Sequence, residues 1–159
     1  MKKLKLPEHK AGIWLDQETA YIVHVLGNTV DKVEGLISDV ESRVRMAGEG
    51  KVYARYGHAF IDNQEKTQHR QHNQRQHFFK EILSHLKGTD FLYLFGPGQA
   101  KNGLQRLIEK DHDLTGHIAK TAAADMMNKR LAVIETLAYF KSEDYKQFKK
   151  ERRKAMKAV

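Results

Sequence analysis

The stretch FLYLFGPGQAKNGLQRLIEK, residues 91–110, constrains the fold more than any other. It opens on a near-continuous apolar run, the pattern of a strand buried on both faces. Gly96-Pro97-Gly98 breaks that run, and a helix from about Gln99 to Lys110 follows, with Leu104, Leu107 and Ile108 on its inner stripe. A strand covered on both sides needs a layer on each, and crossovers between parallel strands supply such layers as helices. The chain is therefore expected to be α/β.

The flanking segments extend this pattern. Residues 11–15 and 20–26 are short apolar runs separated by Asp16-Gln17-Glu18-Thr19, a hairpin signal. Residues 30–40 alternate as a third strand, with Gly35 as a candidate bulge. These three predict an antiparallel meander. Residues 41–61 follow no single period and read as a long basic loop. A helix is expected from Asp62 to Lys87, with Asp62 as N-cap and Glu65 three residues on. Its second half carries Phe78, Phe79, Ile82, Leu83 and Leu86 on one face, whereas its first half, QEKTQHRQHNQRQ, has no apolar residue. Residues 116–123 suggest a further strand, and Asp125 an N-cap for the next helix. The order β-β-β-α-β-α-β-α predicts a mixed five-stranded sheet of the ribonuclease H-like kind, with helices on both faces.

The chain has 159 residues, enough for one domain with a real core. No apolar run approaches the roughly 20 residues that cross a membrane, and no apolar segment follows the basic N-terminus as in a secretory signal. No cysteine is present, which excludes disulfides and thiolate chemistry and fits a reducing cytoplasm. The formal charge of +8 is carried by residues 1–10 and 141–159, so residues 11–140 are formally neutral. This divides the chain into a basic N-terminal segment, a balanced domain and a basic C-terminal helix or tail. Basic ends suit a phosphate backbone.

Several chemistries lack their residues. The glycines Gly96, Gly98 and Gly103 miss the dinucleotide spacing. Leu104-Gln105 replaces the lysine and hydroxyl that a P-loop requires after Gly103. Gly96, Gly98 and Gln99 remain a candidate phosphate corner, set against the simpler reading of a strand-to-helix turn. Two-metal nuclease chemistry needs converging carboxylates, but Asp16 and Asp90 fall at opposite ends of their strands and Glu65 lies in the polar half-helix. His69, His72 and His77 have no cysteine or acidic partner to complete a zinc site. No metal, cofactor or catalytic residue is expected.

What remains points to RNA. Lys51, Arg55 and His58 in the basic loop, beside Tyr53 and Tyr56, mix cations with stacking groups. Arg70, His72 and Arg75 add donors suited to phosphate, ribose and bases. Lys149, Lys150, Arg152, Arg153 and Lys154 would contribute a salt-sensitive term.

The element order, the basic loop, the helix containing RQHFFKEI and the strand-turn-helix LYLFGPGQAKNGLQRLI together resemble the middle domain of archaeal and eukaryotic class-1 peptide chain release factors and of Pelota. The resemblance is closest to bacterial stand-alone relatives of the translational machinery component type, and it covers about residues 11–140. In release factors the loop before the long helix carries Gly-Gly-Gln, which supports hydrolysis of peptidyl-tRNA. Residues 48–61 contain no such tripeptide, and Gly98-Gln99 follows the fourth strand. The resemblance thus implies a non-catalytic, ribosome-associated translation or rescue-type factor, cytoplasmic, whose loop and helix tip face ribosomal RNA or tRNA. Two alternatives are a small phosphorylated ligand at the 96–103 corner and a protein-interaction module, in which Tyr145 and Phe148 would dock the C-terminal helix on a partner or form a homodimer.

Overall fold

The computed structural model describes residues 6–38 and 57–158, with side chains from Gln64 onward in the second stretch. Strands β1 (His9–Leu15), β2 (Thr19–Leu26) and β3 (Thr29–Ile37) form the expected antiparallel meander. Helix α1 (Gly57–Ser84) leads to β4 (Phe91–Gly96), α2 (Ala100–Lys110) to β5 (Ile118–Ala123), and α3 (Lys129–Lys141) and α4 (Glu143–Lys157) follow. The sheet runs β3-β2-β1-β4-β5, with β4 parallel to both β1 and β5. Only β2 opposes the others, and this is the ribonuclease H-like arrangement. Among the described residues no helix is long and apolar enough to cross a membrane.

The strand alternation sorts side chains into two cores. Ala11, Ile13, Leu15, Ala20, Ile22, Leu92 and Leu94 face α1 and α2, meeting Phe78, Phe79, Ile82, Leu86, Leu104 and Ile108. Trp14, Val23, Val25, Tyr93 and Phe95 face α3 and α4, meeting Ala132, Tyr139, Phe140 and Tyr145. Residues of β4 alternate between the two, so its near-continuous apolar run records burial on both sides. At Gly12 the sheet admits α3 closely: a Cβ there would lie within 2.0 Å of Thr136 Oγ1.

Three expectations about local structure change. The helix begins at Gly57 rather than after Asp62, so residues 57–61 are helical and not loop. Once a helix is nucleated each further residue adds a hydrogen bond, which outweighs the cap signal of Asp62. The extra residue of β3 is Asp31, not Gly35, because the register shifts between His24–Lys32 and Val25–Val30, whereas Gly35 pairs in register with Tyr21. Finally, α3 is capped by Asn128, whose side chain accepts from Leu131 N at 2.9 Å. Asp125 does not cap it: Ala124 N donates to Gly96 O, and residues 124–128 form neither strand nor helix before α3 begins at Lys129.

The C-terminal segment is an integral layer of the fold. Ser142 closes α3 and caps α4, its Oγ donating to Tyr139 O at 2.6 Å and accepting from Tyr145 N at 3.3 Å. Tyr145 is buried, and Phe91 meets Tyr145 and Phe148 edge-on at 5.7 and 5.8 Å. Tyr145 is thus covered within the chain and Phe148 partly so, which weakens the reason for expecting them to join a second copy.

Candidate nucleic-acid interface

Helix α1 divides as its sequence does. Phe78, Phe79 and Ile82 are fixed in the core, and just beyond the helix His85 Nδ1 lies 2.9 Å from Glu34 Oε2 on β3. The same Glu34 oxygen lies 3.0 Å from His24 Nε2 on β2. Burial opposes the charge on Glu34, but the bonds from His24 and Lys32 and the nearby His85 outweigh it and hold the carboxyl below its ordinary range. Burial pushes His24 down despite Glu34. These contacts fasten the end of α1 to the meander.

The first half is polar along the described side chains. Lys66, His69, Arg70 and His72 are exposed. Arg75 is half-buried, and its Nε is enclosed without a hydrogen-bond partner. Of the residues assigned to the interface in the preceding loop, Lys51 and Arg55 lie outside the described residues, and His58 falls in the first turn of α1, ahead of the described side chains.

The Gly-Pro-Gly stretch is explained as a corner. Gly96 and Gly98 adopt φ of 151° and 63°, which favour glycine. A Cβ on Gly96 would strike Leu15 O at 2.1 Å. Lys101 Nζ donates to Gly98 O at 2.5 Å, and Asn102 Nδ2 donates to Gln99 Oε1 at 2.5 Å. Beside the corner lies a depression lined by Asp16 and Glu18 as well as Pro97, Gly98 and Gln99. Two carboxylates on that wall disfavour an anion there.

Gln99 also lines a second groove on its other side. This groove, about 200 Å³, is walled by His72, Arg75 and Gln76 of α1 and by Arg106 of α2. Two surfaces that the sequence offers separately, the polar half-helix and the corner, therefore meet. Arg106 was not among the expected residues. It shares a helix face with Gln99 and Gly103 through i, i+4 and i+7 spacing, but only the packing of Phe79 at Gly103 brings that face to α1, a Cβ on Gly103 meeting Phe79 Cε2 at 2.7 Å.

The basic residues of α4 serve two different ends. Lys149 Nζ is paired with Glu8 Oε1 at 2.5 Å. Arg152 lies over the Phe91 ring at 5.1 Å and donates to Gly116 O at 2.7 Å. These two pack against the domain. Lys150, Arg153, Lys154 and Lys157 are exposed on the solvent side. Near the other terminus, Lys10 is buried against Phe140 and Tyr145 at 5.4 and 5.7 Å.

No protein-family model matches the chain, and no curated protein sequence matches it significantly. Among solved structures it is similar to Archaeoglobus fulgidus Pelota, a crystal structure reported to reveal inter-domain structural plasticity. The TM-score is 0.52 and the identity 16%, over 97% of this chain and 37% of that one. Thermoplasma acidophilum Pelota gives 0.49 and 13%, over 92% and 36%, and the archaeal translation termination factor aRF1 gives 0.44 and 17%, over 94% and 39%. The likeness is one of fold, and the first of these comparisons carries it. The chain spans between 36% and 39% of the length of these structures.

Proposed function

We propose that this chain, with the fold of a Pelota domain, is a non-catalytic RNA-binding factor of the translation or rescue type that associates with ribosomes in the cytoplasm. The observation that carries the reading is the divided helix: a polar segment exposing Lys66, His69, Arg70 and His72 stands on an anchor fixed in the core. Keeping a helical surface free of apolar groups gains nothing in folding, and cations with amides and imidazoles suit phosphate, ribose and base edges. The exposed Lys150, Arg153, Lys154 and Lys157 of α4 supply a second, purely electrostatic attraction. Two features support the absence of catalysis. The sequence holds no Gly-Gly-Gln, and two of the three acids considered for metal chemistry have structural roles, Asp16 Oδ1 accepting from Glu18 N and Thr19 N and Asp90 Oδ2 from His9 N.

Sedimentation with ribosomes through sucrose gradients at low and high salt tests this. Co-migration that is lost as salt rises is the expected result. Absence from ribosomal fractions at low salt would overturn the ribosome assignment.

A further inference from the structure

We propose that the groove between α1, α2 and the β1–β2 turn is a seat for one phosphate group of an RNA backbone, with Arg75 and Arg106 as its cationic walls. The inference rests on the RNA-binding reading and says where the backbone is held.

Four observations lead there. Arg75 and Arg106 line the same groove from different helices, and among the described residues neither has a hydrogen bond or ion pair. Two guanidinium-bearing residues line one groove with no carboxylate among its walls, and like charges sharing a site repel unless an anion joins them. The Nε of Arg75 is buried with no acceptor, and a buried donor left unmade costs about 1–3 kcal/mol. An oxyanion is the partner that satisfies both, since the guanidinium fork matches phosphate geometry.

The remaining lining agrees with that chemistry. Gln17 and Gln76 carry amide donors, and no acid lines the groove. Asp16 and Glu18 face the neighbouring depression across Gln99, which confines an anion to the α1 side. Phe79 and Gly103 complete the lining of the groove between α1 and α2. A volume of about 200 Å³ falls below the range of about 300–1,000 Å³ typical of whole-ligand pockets, so it suits a phosphate and its sugar better than a complete cofactor.

The test uses the full chain and a short fluorescein-labelled oligouridylate, with anisotropy titrations over a series of salt concentrations. Arg106→Gln is the primary variant because Arg106 is exposed and the substitution keeps a good helix former. Arg75→Lys is the second, since it retains the charge and loses the fork. Affinity about tenfold weaker in Arg106→Gln, with a salt slope reduced by about one, is the expected result. Wild-type affinity and slope in both variants would overturn the seat and leave RNA binding intact. Amide NMR shifts with uridine monophosphate separate the remaining cases. If the wild-type chain ignores the oligonucleotide but the monophosphate shifts Gly103 and Arg106, the RNA source is overturned and a free nucleotide takes its place. If neither ligand acts, the seat itself is refuted.

Discussion

Gly12 and Thr136 mark the point at which α3 comes closest to the sheet: a Cβ on Gly12 would sit 2.0 Å from Thr136 Oγ1 and 2.7 Å from Thr136 Cβ. Both residues are buried, and neither has room to withdraw. Gly12→Ala should therefore destabilise the fold by about 1–3 kcal/mol, the usual cost of overpacking a core. Thr136→Ala in the same chain should restore part of that loss. Urea unfolding of the wild type and the two variants checks this, and a Gly12→Ala midpoint equal to that of the wild type would refute the close approach.

The two halves of α1 should respond differently to truncation. Phe78→Ala empties a fully buried site and should cost about 3–5 kcal/mol. His69→Ala alters an exposed position and should change stability by no more than about 0.5 kcal/mol. Thermal melts of both variants measure the contrast.

Stability should fall on acidification. His24 is held below its ordinary value of 6.5 by burial, and its Nδ1 is enclosed without a partner, so a second proton has nowhere favourable to go. The unfolded chain takes up that proton first, and the stability of neutral His24 is therefore lost as pH falls below about 6.5. Glu34 is held below its ordinary 4.5, so its contribution is present above that value and lost as pH falls through its folded one. Lys32 and Glu34 on β3, His9 on β1 and His85 beyond α1 are the ionisable neighbours of this cluster. His24→Gln should flatten the upper part of the melting-temperature profile and leave the lower part. An unchanged profile above pH 4.5 would remove His24 from the account.

The basic residues of α4 should separate by face. Arg152→Ala gives up the Phe91 contact and the bond to Gly116 and should cost roughly 1–2 kcal/mol. Lys150→Glu with Arg153→Glu and Lys154→Glu should leave stability within about 1 kcal/mol while reducing ribosome co-sedimentation at low salt. Calorimetry and gradients on the same preparations test both expectations.

The elements that repeat with a clear period were legible in the sequence: the meander, the doubly buried β4, and the split of α1 at the start of HFFKEILSHL. Boundaries were less so. Asp62 and Asp125 carry cap chemistry, yet α1 starts at Gly57 and α3 is capped by Asn128. The candidate site was half visible. His72, Arg75 and Gln99 have suitable side chains and were singled out, but Arg106 gains its meaning from the Gly103–Phe79 contact between helices, which no local pattern records. In α4, likewise, Lys149 and Arg152 have the same composition signal as Lys150 and Arg153. Only the docking of Tyr145 and Phe148 decides which cations reach solvent.

Helix α1 carries the groove wall at His72 and the exposed cation Lys66 on one continuous rod. The six residue steps from one to the other correspond to about 9 Å of axial rise. No hinge lies between the two positions, so this separation behaves as a built-in ruler. A molecule touching both must match a length that the protein does not adjust, and selectivity can then arise from spacing as well as from charge.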